Sequence, residues 1–336
     1  MNSGSYKIKL AVLTLLSFLM FSPIAEGEKP IRIRVGHFPT VTHAPALIAR
    51  AIQHFEKKFQ GEAEIEWKTF NAGPEAIEAL FAGSLDFLYV GPNPAVNGFI
   101  RSQGEALRIV AGVASGGSAF VVREGSGIEK FEDIRGRRVA TPQIGNTQDL
   151  ALRHLMSEKG LRPRSQGGDV EIFNLGGGDQ ISAVRKGDVD AIWTVEPLVT
   201  RLVEEANGKI LFDEKELWPD GQYATAVLAV RKKFLDKHPE MVQKWLSAHQ
   251  EITDWIPQNS SEAKKFFNQE LGRETGKPLP DAYLDESFKR ITFTVDPMKS
   301  SIEESARRAW AVGFLGKNKM DLSQLYELSF LKKEKA

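Results

Sequence analysis

Cysteine is absent from this 336-residue chain. That excludes disulfides, thiolate-held zinc, iron–sulfur clusters, thiol nucleophiles and a lipid-modified cysteine. A charge excess is also absent: 44 Lys plus Arg balance 44 Asp plus Glu, so nothing points to nucleic acid. Histidine is scarce, with 6 residues. His37 and His43 fall in or beside a loop, and without a matching carboxylate they make a poor metal set. No metal or other cofactor is expected. Residues 115–118 read Ser-Gly-Gly-Ser, which is not a nucleophile elbow. The glycines at 176–178 lack both the P-loop lysine and the dinucleotide spacing. No Ser-His-Asp set and no glutamate pair is visible, so enzymatic chemistry has no evident carrier.

Long apolar runs are lacking as well. The run from Leu10 to Phe21 has 12 residues, too short to span a bilayer. Lys7 and Lys9 precede it, and the small residues Ala25 and Gly27 follow. This is the pattern of a secretory leader, residues 1–27, cut after Ala25 or Gly27. About 309 residues would remain, enough for two domains. The expected compartment is the periplasm, without a lipid anchor.

What is present is a repeat. Ile77, Ala79, Gly83 and Asp86 recur 104 residues later as Ile181, Ala183, Gly187 and Asp190. The same offset maps Arg34-Val35 onto Arg138-Val139, Thr42-His43 onto Asn146-Thr147, and Tyr89 onto Trp193. Strand-like runs at 31–36, 63–70, 85–90 and 108–113 alternate with helical stretches. The order returns at 138–140, 170–174, 189–193 and 209–212. Alternating strands and helices predict parallel sheets with helices on both faces. A module built twice makes two lobes with a cleft between them. Residues 225–231 should return the chain to the first lobe. The tail beyond is expected to be helical, with Met241, Trp245, Ala248 and Ile252 on one face.

Ligands of such sheets sit outside the carboxyl ends of the strands, where helices begin. The loops there are rich in hydroxyls, amides and glycines, and they contain no Lys or Arg. They span residues 38–43, 71–74, 91–93, 115–118, 143–147, 176–178 and 194–197. Backbone N–H groups at helix starts attract anions, so these loops suit a small anionic solute. Thr42 is expected to cap the helix after it. Phe38, Tyr89, Trp193 and Tyr223 are either cleft walls or core. Glu196 either caps a helix or meets a ligand amine or hydroxyl.

Several stretches carry a family likeness. They are Val35-Gly36-His37-Phe38-Pro39 with His43-Ala44-Pro45-Ala46-Leu47, and Ala79-Leu80 with Gly83-Ser84-Leu85-Asp86. The run from Phe131-Glu132-Asp133 to Arg138-Val139-Ala140 and the run Gly187-Asp188-Val189-Asp190-Ala191 with Glu196-Pro197 complete them. Over residues 30–315 the chain resembles the periplasmic solute-binding proteins of ABC importers. The group in question binds nitrate, taurine and aliphatic sulfonates, and it includes pyrimidine-precursor binders related to thiamin biosynthesis. The resemblance implies a type II periplasmic binding protein fold, α/β, with two doubly wound lobes joined by two crossover strands and closing by a hinge. Lobe 1 would comprise residues 28–117 and 225–336, and lobe 2 residues 119–222. Crossovers would lie near Ser118-Ala119 and at 223–225. The expected function is capture of a small anion, an aliphatic sulfonate or taurine first, for delivery by a monomer to an ABC permease in the inner membrane. Nitrate or bicarbonate and then a pyrimidine are the next ligands in order. A sensory binding protein and a pyrimidine-synthesising enzyme are the other classes. The enzymes of that kind carry a cysteine-rich stretch, which this chain lacks.

The anion is expected between Ser115, Gly116, Gly117 and Ser118 of one lobe and Gly145, Asn146 and Thr147 of the other. Thr42, His43 and Asn93 would complete the first wall, with Trp193 and Glu196 opposite. Phe38, Gly73, Gln143 and Tyr223 would line the remainder. A protonated His43 would tighten anion binding below about pH 6.5.

Overall fold

The computed structural model describes residues 30–317 and 319–331. The expected leader, residues 1–27, lies outside them. The strands in chain order begin with β1 (Ile31–His37), β2 (Ala63–Thr69), β3 (Phe87–Val90) and β4 (Leu107–Gly116). Next come β5 (Ser118–Arg123), β6 (Arg138–Thr141), β7 (Glu171–Asn174), β8 (Ala191–Val195) and β9 (Gly208–Asp213). The last two are β10 (Ala224–Arg231) and β11 (Ile291–Phe293). They form two sheets, ordered β11-β4-β10-β3-β1-β2 and β7-β6-β8-β5-β9. With β11 set aside, the two orders correspond strand for strand. In each, three parallel strands are followed by an antiparallel strand on which the chain enters from the other sheet: β10 in the first sheet, β5 in the second.

The repeated Arg and Asp explain the 104-residue echo. Arg34 N and Nε donate to Asp86 Oδ2 at 3.0 and 2.8 Å, and Arg231 Nη2 donates to Oδ1 at 2.6 Å. In the second sheet Arg138 N and Nε donate to Asp190 Oδ2 at 3.1 and 3.3 Å, and Arg123 Nη2 donates to Oδ1 at 2.9 Å. The carbonyls of Gly83 and Gly187 accept from the same two strand arginines, Arg34 and Arg138. Burial alone would raise both carboxyls, but hydrogen bonds from the arginines hold them below the usual range. The repeat is therefore a clamp that ties a parallel strand, the next parallel strand and the incoming antiparallel strand at one end of each sheet.

Strand alternation sets the cores. Phe87 and Tyr89 face one core cluster, while Leu88 and Val90 face another on the opposite side of the sheet. In the second sheet Phe120 and Trp193 share one cluster, and Ala119, Val121 and Ile192 the other. Both sheets are thus covered on both faces, as the alternating pattern predicts. The tail helices Pro239–Gln258, Ser260–Thr275, Asp281–Lys289 and Lys299–Ala311 pack back on the first sheet. Trp245 is sandwiched between Phe55 and Phe87 at ring separations of 3.8 and 4.6 Å.

Three local expectations change. The first helix is broken: Ala44–Ala51 and His54–Lys58 flank Gln53, which is left-handed at φ 55°. Residues 291–293 add a strand to the β4 edge inside the otherwise helical tail. Residues 115–118 are not a loop. β4 runs through Gly116, and Gly117 alone separates it from β5. Gly117 has φ +76°, and a Cβ there would sit 2.4 Å from Ile291 Cγ1, so only glycine suits this crossing. The return crossing, from β9 to β10, is longer and passes through two short 3-10 turns, Glu214–Leu217 and Pro219–Gly221.

A candidate binding cleft between the lobes

Six helices begin at one cleft. From the first lobe come Ala44–Ala51, Gly73–Phe81 and Pro92–Arg101. From the second come Thr147–Glu158, Gly177–Lys186 and Leu198–Ala206. None of the six has a hydrogen bond from its N-cap side chain. Thr42 does not cap the first; its hydroxyl pairs with Thr40 Oγ1 at 2.9 Å, and His43 takes the cap position. The cavity holds about 850 Å³. Its walls mix hydroxyls and amides with apolar surface from Phe38, Leu198, Leu279 and Tyr283.

The lobes touch across this cavity. Gly73 N donates to Asn146 Oδ1 at 3.1 Å, and Val41 N donates to the Glu196 carbonyl at 3.0 Å. Asn146 therefore spends its side chain on the other lobe rather than on its own helix. Gly91 lies against Thr147, whose Oγ1 would be 2.6 Å from a Cβ at 91. The loop before Thr147 is held by buried Asp149, which accepts from Gly145 N at 2.9 Å, Arg153 Nε at 2.9 Å and Thr141 Oγ1 at 3.2 Å.

Neutral donors stand at and near the helix starts. Thr147 Oγ1 and Thr194 Oγ1 are buried without a hydrogen-bond partner. His43 Nδ1 accepts from Phe38 N at 3.1 Å, which leaves Nε2–H as the donor. Burial, with His37 nearby, pushes the His43 imidazole down to about 3. The expected tightening below about pH 6.5 is thus overturned: a fully enclosed ring stays neutral there. The charged groups in the wall are few. Arg201 is engaged by Glu205 through two bonds of 2.8 and 3.0 Å, Lys277 is exposed, and Glu274 sits at the carboxyl ends of β1 and β2.

Of the residues expected at the site, Phe38, Thr42, His43, Gly73, Asn146 and Thr147 line the cavity. The others lie elsewhere, each for a definite reason. Ser115 and Gly116 are paired with β11, and Gly116 O accepts from Thr225 Oγ1 at 2.7 Å. Gly117 is the crossing itself. Ser118 donates to buried Glu214 at 2.6 Å, as does Trp193 Nε1 at 2.8 Å, and Trp193 lies in the core. Tyr223 is buried and stacked on Trp218 at 5.4 Å. Asn93 Oδ1 accepts from Ser305 Oγ at 2.5 Å. Gly145 packs against Phe314, and Gln143 is outside the wall. Glu196 is fully enclosed: it accepts from Thr200 N at 3.1 Å and Ser287 Oγ at 3.0 Å, with Arg290 Nε at 3.2 Å. Its carboxylate joins the lobes and caps, and burial raises its carboxyl. An anion cradle made of residues 115–118 and 145–147 is therefore not what these positions form.

Sequence reasoning missed Thr69, Gln148, Gln180, Thr225 and the tail segment with Leu271, Glu274, Lys277 and Tyr283. Thr194 was in view only as part of a loop. The tail carried no signal, because its approach to the cleft depends on how four helices pack.

A model of the NMT1-like family matches residues 26–268. The chain belongs to that family. A similar curated relative is the taurine-binding periplasmic protein of Escherichia coli K12, 28% identical over 304 residues, covering 88% of this chain and 90% of the relative. Among solved structures, the alkanesulfonate-binding protein SsuA from Xanthomonas axonopodis pv. citri bound to MOPS matches with TM-score 0.72 and 22% identity, over 86% of this chain and 96% of that one. The periplasmic nitrate-binding protein NrtA from Synechocystis PCC 6803 matches with TM-score 0.73 and 16% identity, over 87% and 84%. The fold is that of periplasmic binding proteins, and the named relatives are substrate-binding proteins rather than enzymes. Among the described residues, no helix is long and apolar enough to cross a membrane, and no group of three or more His, Asp or Glu is placed to hold a metal ion.

Proposed function

We propose that this protein captures an organic sulfonate in the inter-lobe cleft and hands it to an inner-membrane ABC permease. It would do so as an exported, unlipidated periplasmic monomer freed of residues 1–27. The observation that carries this reading is the convergence of six helix starts, three from each lobe, on one cavity, none bonded by its own N-cap side chain. Each favourable helix terminus contributes about 0.3–1 kcal/mol toward a bound anion. The hydroxyls of Thr147 and Thr194 and the neutral His43 N–H add donors without adding charge. A sulfonate has three acceptor oxygens and one diffuse charge, which suits many neutral donors.

Size separates the alternatives. The cavity of about 850 Å³ is in the range that takes drug-sized organic molecules, although the lobes already touch across it. Nitrate or bicarbonate would leave most of it to water. Apolar surface from Phe38, Leu198 and Leu279 fits an organic tail. A thermal-shift series with ethanesulfonate, taurine, nitrate, bicarbonate and a pyrimidine tests the reading. A ligand at 100 times its dissociation constant stabilises by about 2.7 kcal/mol. The expected result is a shift with at least one sulfonate and none with nitrate. A shift with nitrate or a pyrimidine alone contradicts it.

A further inference from the structure

The cleft wall contains one carboxylate that the anion does not account for. Glu274, at the end of helix Ser260–Thr275, reaches the carboxyl ends of β1 and β2, and its side chain is only 6% exposed. Its Oε1 meets His37 Nε2 at 3.2 Å and also pairs with Arg50. Its Oε2 is buried with no hydrogen-bond partner, although Glu274 lines the cavity. Arg50 is shared, because its Nε also pairs with Glu270 Oε1 at 3.0 Å. Two carboxylates therefore divide one half-buried guanidinium, and Glu270's second partner, Arg273, is largely exposed. Glu274 Oε2 is thus the oxygen of this cluster that no cation engages. Burial alone would raise the Glu274 carboxyl, but His37, Thr69 and Arg50 bring it below the usual range. Its ionised form is thus the one that faces the ligand.

A second acceptor points the same way. Gln180 lines the opposite lobe and spends Nε2 on the Leu175 carbonyl at 2.9 Å, which leaves its buried Oε1 without a partner. An anion satisfies neither oxygen. A buried acceptor left unpaired is costly, so a fitting solute brings N–H donors as well as the sulfonate.

We propose that Glu274 is the recognition point for a charged amino group on the solute, so that the site favours zwitterionic aminoalkanesulfonates over simple alkanesulfonates. This rests on the sulfonate reading above, and the test separates the two. The full protein is titrated calorimetrically with two matched pairs, taurine with ethanesulfonate and β-alanine with propionate. The parent is expected to bind taurine at least about tenfold tighter than ethanesulfonate, the scale of one charge-assisted hydrogen bond. Glu274→Gln should lose about tenfold or more for taurine and keep its ethanesulfonate affinity, which also reports that the variant is folded. Equal affinity of the parent for both sulfonates overturns the proposal, even if the variant fails to fold. An equal loss for both sulfonates in Glu274→Gln makes the residue structural and also overturns it. If both sulfonates are silent while β-alanine binds, propionate does not and Glu274→Gln abolishes it, the amino subsite stands and the sulfonate reading falls. Silence from all four ligands overturns both.

Discussion

A single methyl group at position 91 should open the closed form of the protein. Gly91 has φ −65° and ψ 151°, a conformation any L-residue adopts, so Gly91→Ala strains no backbone. Its Cβ would meet Thr147 Oγ1 at 2.6 Å and Thr147 Cβ at 3.7 Å, across the lobe boundary. Thr147 is β-branched and helical, so its side chain has little freedom to turn away. Overpacking of this kind costs about 1–3 kcal/mol, and here it falls on the state in which the lobes touch. A ligand that binds that state would lose about 5- to 150-fold in affinity. Isothermal titration with the solute reads the loss, and a denaturant melt without ligand should move far less. Adding Thr147→Ser keeps the hydroxyl but frees it to rotate, and should restore most of the affinity. Unchanged affinity in Gly91→Ala, or an equal loss of affinity that Thr147→Ser does not relieve, refutes the reasoning.

Further outcomes follow from the same structure. Solute affinity should stay flat from about pH 8 to about pH 5.5, because burial holds His43 neutral; calorimetry across that range checks it. His249 is buried and pushed down to about 4, so below about pH 6.5 the unfolded chain takes up a proton that the folded one refuses. The stability advantage of the parent over His249→Asn should therefore shrink by about 1.4 kcal/mol per pH unit below about pH 6.5, ending near pH 4, as read by urea denaturation. Trp245→Ala removes the ring between Phe55 and Phe87 and should cost about 3–5 kcal/mol of stability, with solute affinity little changed.

The fold was legible because its signals are local and doubled. Period-2 apolar runs marked the sheet strands, and Arg34 with Asp86 recurred as Arg138 with Asp190 because each sheet needs the same clamp. The broken first helix was not legible, since Gln53 carries no breaker signature. β11 was hidden because three residues are too few to show alternation. The cleft was partly legible: Thr42, His43, Asn146 and Thr147 stand at helix starts, which a strand-loop-helix reading locates. Residues 115–118 misled, because Ser-Gly-Gly-Ser looks like a binding loop but serves a crossing whose glycine is demanded by Ile291. Trp193 misled because an aromatic near a strand end faces either a cleft or a core, and the pairing of Phe120 with Trp193 decides for the core. Glu274 was out of reach, since nothing local says that a tail helix returns to β1 and β2.

The central claim is that a sulfonate is held by helix starts from both lobes, and the structure of the protein with an aminoalkanesulfonate tests it most directly. The account predicts the sulfonate oxygens among the amides and hydroxyls near His43, Thr147 and Thr194, and the amino group at Glu274. A sulfonate bound instead to Lys277 or Arg201, away from the helix starts, would contradict it.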